Sequence, residues 1–255
     1  MNLSFDMGIA NGYSNPSQRI RRISEAWVNE NMYCPRCGNN KLEKFTNNQP
    51  VADFFCLNCN NQFELKSKNG KIGDSINDGA YHSMISRINS NTNPDFLFLS
   101  YKIDEPSVTS LLLIPKHFFV PDIIEKRKPL SITAKRAGWT GCNILINKIP
   151  TQGRIFIISE GRIHKKELVV SQVNRTRALL TNDLNARGWL FDVLNSVNLI
   201  SSELFTLTDV YAFEDSLFRK HPDNNNVKAK IRQQLQFLRD RGFIEFLGRG
   251  QYRKK

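Results

Sequence analysis

The chain has few cysteines, no long apolar run and no stretch rich in glycine or proline. No segment reaches the 18 or so consecutive apolar residues that a membrane span requires, and the N-terminal MNLSFDMGIANGYS lacks a basic region followed by an apolar one. We therefore expect a cytoplasmic protein that does not enter a membrane. In that reducing compartment disulfides are rare, so the five cysteines are interpreted first as metal ligands.

Acidic residues are also few compared with basic ones. Lys and Arg number 36 against 24 Asp and Glu, which gives a formal net charge of +12. Such a surplus favours a polyanionic partner, nucleic acid before others, although it also serves solubility. With 255 residues and 40% hydrophobic content, the chain is long enough for one large or two modest globular domains.

Four of the cysteines form two C-x-x-C pairs, Cys34 with Cys37 and Cys56 with Cys59. The 18 residues between Cys37 and Cys56 match the spacing of a structural zinc site, in which each turn points two thiolates at one metal ion. Four thiolates leave no open coordination position, so the metal is expected to fold the region rather than to catalyse. Unliganded thiols and a disulfide pair are the alternatives. Cys142 is interpreted as a small buried residue.

A second motif encloses the second cysteine pair. Ten residues separate Pro50-Val51-Ala52-Asp53 from Glu64-Leu65-Lys66. If Val51–Cys56 and Gln62–Ser67 are strands, Glu64 and Lys66 lie on one face of their strand. Two carboxylates suit a hard divalent cation, and a nearby lysine suits a nucleophilic water or a phosphate charge. The stretch resembles the PD-(D/E)xK nuclease motif, although the same pattern also arises by chance.

Periodicity predicts an α/β core, a mixed sheet flanked by helices. The predicted elements are a helix at 17–31, a short strand at 41–45, a helix at 77–89 capped by Asn77 or Asp78, and strands at 95–101, 110–115 and 154–159. Glu25 lies on the first helix. It is expected to be solvated, with support of a metal through water as the alternative.

Two basic segments in this part are candidates for phosphate contact. Lys68 follows the Glu64-Leu65-Lys66 strand in a basic turn. Residues 126–139 mix cations with small residues and one aromatic, and we assign Lys135, Arg136 and Trp139 to a DNA-binding loop. Burial of Trp139 in the core is the alternative.

Beyond about residue 181 the pattern becomes helical and then ends in a hairpin, which predicts domains at 1–181 and 182–255. A helix over 227–241 and a hairpin with Arg249 at its tip describe a winged helix. From Lys228 onward nine Lys and Arg stand against two acids. We interpret Lys228, Arg232, Gln233 and Gln236 as the DNA-facing side of the helix. A winged helix that contacts proteins is the alternative.

Long stretches of the chain resemble the DpnI-like methyl-directed type II restriction endonucleases. The resemblance covers nearly the whole length and rests on YCPRCGNN, PVADFFC, FELKSK, INDGAY, KRAGW with GCN, GRIF, and the tail IRQQLQFLRD…IEFLGRGQYRK. It implies a PD-(D/E)xK nuclease with structural Zn²⁺, followed by a winged helix. It also implies a bacterial restriction system in which a monomer cuts double-stranded DNA at GATC containing methylated adenine, with Mg²⁺.

The resemblance assigns roles to the matching residues. Asp53, Glu64 and the carbonyl of Leu65 would hold Mg²⁺, and Lys66 would orient water for in-line attack. The adenine methyl lies in the major groove, where Trp139 would offer an apolar surface, Arg232 would suit guanine, and Gln233 and Gln236 would suit adenine. The main alternative is a zinc-containing winged-helix regulator without nuclease activity. A nuclease with another target and a structural nucleic-acid-binding protein are further alternatives.

Overall fold

The computed structural model describes residues 1–45 and 52–255. The chain divides into two compact units, one formed by Met1–Asn147 with Gln152–Thr176 and the other by Lys148–Thr151 with Arg177–Lys255. The domain limits expected from the sequence, 1–181 and 182–255, remain a prediction. Among the helices within the described ranges, none combines the length and apolarity needed to cross a membrane.

The described residues of the first unit form two sheets and three α-helices. Its strands are β1 (Glu43–Lys44), β2 (Phe54–Phe55), β3 (Gln62–Asn69), β4 (Ser75–Ala80), β5 (Asp95–Lys102), β6 (Ser107–Ile114), β7 (Ile124–Lys126), β8 (Gly141–Leu145), β9 (Ile155–Ser159) and β10 (Arg162–Ile163). Its helices are α1 (Pro16–Asn31), α2 (Tyr81–Asn89) and α3 (Lys166–Thr176). The predicted mixed α/β core is confirmed.

The larger sheet has the strand order β1-β2-β3-β5-β6-β9-β10. Its neighbouring strands are antiparallel except for β3 and β5, which are parallel. The chain between β3 and β5 supplies β4 and α2, because a parallel pair needs a crossover connection. The strands β4, β8 and β7 form a second, antiparallel sheet in that spatial order.

The apolar core lies on both faces of the larger sheet. From Asp95 to Tyr101 every residue of β5 is buried, which explains its continuous apolar run. On one face, Leu97 and Leu99 belong to the same buried cluster as Ile23, Trp27 and Val28 of α1. Helix α1 begins where it does because Asn15 Oδ1 accepts hydrogen bonds from the backbone of Ser17 and Gln18 and proline occupies the first turn.

Several expectations for the elements of this unit were wrong, and one lies partly outside the described residues. Lys68, expected in a turn after the motif strand, belongs to β3. Asn77 and Asp78 do not cap a helix, because they belong to β4 and pair with β8, and α2 begins only at Tyr81. The first short strand is limited to β1. The strand predicted from Val51 is present only as Phe54–Phe55, and Pro50 and Val51 lie outside the described residues.

The second unit is a helical domain with a three-stranded sheet. Its elements are α4 (Leu184–Leu199), β11 (Leu204–Thr206), α5 (Leu207–Tyr211), α6 (Glu214–Lys220), α7 (Val227–Asp240), β12 (Ile244–Gly248) and β13 (Gln251–Lys254), and the sheet order is β11-β13-β12. A capping box begins α5: the Asp209 N–H donates to Thr206 Oγ1, and the Thr206 N–H donates to Asp209 Oδ2. Helix α7 followed by the β12–β13 hairpin confirms the predicted winged helix.

Candidate active site and metal cluster

The two halves of the acidic motif meet in the first unit. The backbone N–H of Leu65 donates a hydrogen bond of 2.8 Å to Asp53 Oδ2, and the N–H of Asp53 donates to the carbonyl of Phe63 at 3.0 Å. Asp53 therefore lies directly beside the strand that carries Glu64 and Lys66. The structure brings these three residues together as the sequence predicted, whereas their catalytic roles stay a prediction.

Lys66 and Glu64 form the centre of a network of ion pairs. Lys66 Nζ lies 2.6 Å from Glu64 Oε1 and also forms an ion pair with Asp78 Oδ1. The other oxygen of Glu64, Oε2, accepts from Arg87 Nη1 at 2.9 Å. Sequence reasoning missed Asp78 and Arg87, which come from β4 and α2 and have no spacing signal that relates them to the motif.

Protonation at this site follows from burial and neighbouring charge. Burial raises the pKa of Asp53, and Glu25 raises it further, although the Leu65 N–H, Arg21 and Lys66 oppose the shift. Burial by itself would lower the pKa of Lys66, but Glu64 and Asp78 outweigh it and raise that pKa. Lys66 is therefore held as an ammonium ion, which suits electrostatic stabilisation and water positioning rather than proton abstraction.

Glu25 is buried and paired, so the expectation that it is solvated was wrong. It is 4% exposed, and its two oxygens accept from Arg21 Nε and Lys44 Nζ at 2.6 Å each. Burial opposes its ionisation, but the hydrogen bonds from Lys44 and Arg21 outweigh burial and lower the pKa of Glu25. Arg21 Nη2 also lies 3.7 Å from Asp53 Oδ1, so α1 reaches the edge of the acidic site.

The donor set fits a magnesium ion. Asp53 and Glu64 offer carboxylate oxygens, and the carbonyl of Leu65 directly follows Glu64 in sequence. These are the hard ligands that Mg²⁺ prefers. Each carboxylate already has a cationic partner, Arg21 beside Asp53 and both Lys66 and Arg87 beside Glu64. Both carboxylates thus already stabilise a positive charge, as they would have to do for a bound cation.

The four cysteines form one cluster. Cys34 Sγ lies 3.7 Å from Cys59 Sγ, Cys37 Sγ lies 3.6 Å from Cys56 Sγ, and all four sulfur atoms lie within 4.8 Å of one another. A tetrahedron with Zn–S bonds of about 2.3 Å has edges of about 3.8 Å. The spacing of the sulfur atoms therefore fits a structural zinc ion held by both C-x-x-C turns, as the sequence predicted.

The thiols of this cluster differ in acidity. Burial raises the pKa of Cys34 and of Cys59. It acts in the same direction on Cys37, but hydrogen bonds from Asn58 and the Asn39 backbone outweigh it and lower the pKa of Cys37 to about 6. Buried thiolates need a compensating cation, which a zinc ion supplies. Cys142 is fully buried outside the cluster, as predicted.

A buried aspartate joins the cysteine turns to the main sheet. Asp95 is 0% exposed and accepts from Asn61 Nδ2 and from the Lys116 N–H, at 2.7 Å each. Arg36 Nη1, from the first cysteine turn, lies 3.8 Å from Asp95 Oδ2. Burial raises the pKa of this carboxyl group. Because the second turn separates Asp53 from Glu64 along the chain, anchoring both turns also fixes the ends of β2 and β3.

The basic loop is a closed turn that presents a half-buried tryptophan. Its ends are joined by hydrogen bonds from the Leu130 N–H to the Trp139 carbonyl at 2.9 Å and from the Gly138 N–H to the Leu130 carbonyl at 3.2 Å. Arg136 Cζ lies 4.5 Å from the centre of the Trp139 ring. A Cβ on Gly141 would lie 2.9 Å from Trp139 Cη2, so a larger residue at 141 would displace the ring. The alternative that Trp139 belongs to the core is wrong.

The remaining candidates for DNA contact are exposed. Lys68 and Lys135 in the first unit are exposed, and so are Lys228, Arg232, Gln233, Gln236 and Arg249 in the second. On α7, Gln233 and Gln236 are exposed whereas Gln234 is buried, so the glutamines divide between the outer face and the core face of the helix. Arg232 Nη1 donates to Tyr211 Oη at 2.7 Å. Arg249 has a φ of 49° between two glycines of positive φ, as a tight hairpin tip requires.

Comparison with protein-family models gives two matches. The model described as DpnI, Dam-replacing family, matches residues 1–182. The model described as Dam-replacing HTH domain, where HTH stands for helix-turn-helix, matches residues 185–254. Since the first match alone covers well over half of the chain, the protein belongs to the Dam-replacing family.

Proposed function

We propose that this protein is a methylation-dependent type II restriction endonuclease that cuts double-stranded DNA at GATC sites containing methylated adenine. The observation that carries the proposal is the hydrogen bond from the Leu65 N–H to Asp53, which sets an acid beside the Glu64–Lys66 pair. Membership of the Dam-replacing family and the matched helix-turn-helix domain support a DNA substrate.

In the proposed reaction, Asp53, Glu64 and the carbonyl of Leu65 would hold Mg²⁺. When bound, this ion would supply positive charge for the phosphoryl oxygens and a lower pKa for its bound water. Lys66, kept protonated by its carboxylate neighbours, orients the attacking water or neutralises the scissile phosphate. The protein's part is thus to position and to stabilise charge, as in-line phosphoryl chemistry requires.

Recognition is assigned to exposed residues of each unit and to the half-buried Trp139. Trp139 offers an apolar ring to the adenine methyl group, and Lys68, Lys135 and Arg136 contact phosphates. In the winged helix, Arg232 suits the O6 and N7 of guanine, and Gln233 and Gln236 suit the N6 and N7 of adenine. Lys228 and Arg249 contact the DNA backbone and add affinity that is independent of sequence. We propose that the protein acts as a monomer with one site in residues 1–181 and a second DNA-binding surface in 182–255.

The test is digestion of one plasmid prepared in GATC-methylated and unmethylated forms, with Mg²⁺ and with EDTA. Cutting of the methylated form alone, and only with Mg²⁺, supports both the nuclease and its methyl dependence. Cutting of both forms would retain the active site and reject methyl-directed reading. Binding without cutting would instead favour a winged-helix regulator that has no nuclease activity.

A further inference from the structure

We propose that Asp78 is a positioning residue for Lys66: it keeps the lysine in place when Glu64 turns from Lys66 to a metal ion. The inference rests on the proposed function, since it assigns Asp78 a part in the same site. It starts from the two-sided contact of Lys66 Nζ, with Glu64 Oε1 at 2.6 Å on one side and Asp78 Oδ1 on the other.

Both carboxylate oxygens of Glu64 have a cationic partner. Oε1 contacts Lys66 and Oε2 contacts Arg87 at 2.9 Å. A metal ion bound by Glu64 competes with these contacts, because each oxygen is already close to a positive charge. If Lys66 had only Glu64 as a partner, metal binding would release the lysine that the reaction needs in a fixed position.

Asp78 supplies the second partner from a different sheet. Its side chain is 6% exposed, and that of Lys66 is 24% exposed, so the pair is largely removed from water, where ionic contacts are stronger than on the surface. The backbone of Asp78 is held in β4 opposite Cys142 of β8. An aspartate has a short side chain with few rotamers, so a fixed backbone also fixes the carboxylate that receives the lysine.

The same sheet carries the end of the basic loop. Ala80 pairs with Gly141, and the N–H of Tyr81 donates to the Thr140 carbonyl at 3.0 Å. Asp78 therefore connects Lys66 to the strand that directly follows Trp139. The placement of the lysine depends on the second sheet as well as on the strand that carries the motif.

The experiment compares Asp78→Asn and Asp78→Glu with the full-length wild type. The control is Asn77→Ala, a substitution at the exposed neighbour in β4. We expect single-turnover cleavage by Asp78→Asn at saturating Mg²⁺ to be slower by about 10- to 100-fold, the usual result of a misplaced catalytic group. Its affinity for the methylated duplex should stay within about twofold. Asp78→Glu should recover part of the rate, and Asn77→Ala should cut like the wild type.

A second measurement needs no cleavage. Calorimetric titration with Ca²⁺, which shares the oxygen-ligand preference of Mg²⁺, is performed on the wild type, Asp78→Asn, Lys66→Ala and the double variant, each bound to the duplex. In Asp78→Asn, Lys66 keeps only Glu64 and competes with the metal, so Ca²⁺ should bind several-fold more weakly. In the Lys66→Ala background the same substitution should have almost no effect, because the proposed action passes through the lysine.

Two results would overturn the proposal. An equal loss of Ca²⁺ affinity in both backgrounds would mean that Asp78 acts on the metal by its own charge. An unchanged cleavage rate in folded Asp78→Asn would mean that the ion pair is only structural. Failure of the wild type to cut methylated DNA would count against the proposed function, and the Ca²⁺ comparison would still decide whether Asp78 acts through Lys66.

Discussion

The backbone N–H of Leu65 donates a 2.8 Å hydrogen bond to Asp53 Oδ2, and this bond joins two stretches of chain that are separated by a cysteine turn. Cys56 and Cys59 lie between Asp53 and Glu64 in sequence. The second cysteine turn therefore lies within the stretch of chain that carries Asp53, β2 and the eight-residue β3, so the acidic site depends on the integrity of the cysteine cluster.

The first prediction concerns Asp53 itself. In Asp53→Asn the side-chain oxygen can still accept from the Leu65 N–H, so the substitution removes the charge with little change in shape. We expect cleavage of methylated plasmid to fall by about 1,000-fold or more, because one of two carboxylates that would hold Mg²⁺ is lost. Gel assays measure the rate, and fluorescence anisotropy measures binding to a methylated duplex, which should be retained. Cleavage at the wild-type rate would reject the assigned role.

The second prediction separates the cysteine cluster from the other buried thiol. Cys56→Ser should lose the bound zinc, and Cys142→Ser, at an equally buried position outside the cluster, should keep it. Because zinc binding contributes directly to folding, a loss of about 3 kcal/mol or more should lower the melting temperature of Cys56→Ser by about 10 °C. Elemental analysis and thermal denaturation measure the two effects. Equal zinc content in both variants would contradict the assignment.

Local patterns in the sequence predicted the parts of the site that lie close together along the chain. Glu64 and Lys66 were placed on one face by the two-residue repeat of a strand, and the cysteines were paired by their C-x-x-C spacing. Asp78 and Arg87 were missed because other elements bring them to the site. The Asn-Asp pair was interpreted as a helix cap, but pairing with β8 makes it a strand. Glu25 was interpreted as solvated because Lys44, its partner from β1, is far away in sequence.

The third prediction is a pH dependence that arises from Glu25. Its pKa in the folded protein is lowered, so its contribution to stability is fully present above the unfolded value of about 4.3 and is lost as the pH falls through the folded value. Glu25→Gln should be less stable than the wild type at pH 7 by about 1–3 kcal/mol. The two proteins should begin to converge as the pH falls below the unfolded value of about 4.3 and continue to do so through the lower folded value.

Thermal denaturation between pH 3 and 7 measures this difference. Glu30→Gln is the matched control, since Glu30 is exposed on the same helix and its replacement should change the melting temperature little at any pH. A difference between Glu25→Gln and the wild type that stays constant down to pH 3 would contradict the role of the paired carboxylate.

The fourth prediction tests Trp139 as the apolar surface for the methyl group. Burial of one methyl group contributes about 0.8 kcal/mol, a factor of about 4 in affinity. Trp139→Ala should reduce the ratio of affinities for methylated and unmethylated duplexes by about that factor. Ile132, which is 93% exposed in the same loop, provides the control, and Ile132→Ala should leave the ratio unchanged. If the affinity ratio is unchanged in Trp139→Ala, then residues other than Trp139 recognise the methyl group.

The last prediction distinguishes base reading from backbone contact in the winged helix. Gln236 and Arg249 are both exposed, one on α7 and the other at the hairpin tip. Gln236→Ala should weaken binding to the methylated GATC duplex by about 1–3 kcal/mol and leave non-specific binding almost unchanged, because a lost base contact affects only the correct sequence. Arg249→Ala should weaken binding to both duplexes equally and reduce the slope of log K against log[salt] by about one, because one phosphate contact is removed. Anisotropy titrations at four salt concentrations measure both effects. If Arg249→Ala and the wild type have the same salt slope, the hairpin tip does not contact the DNA backbone.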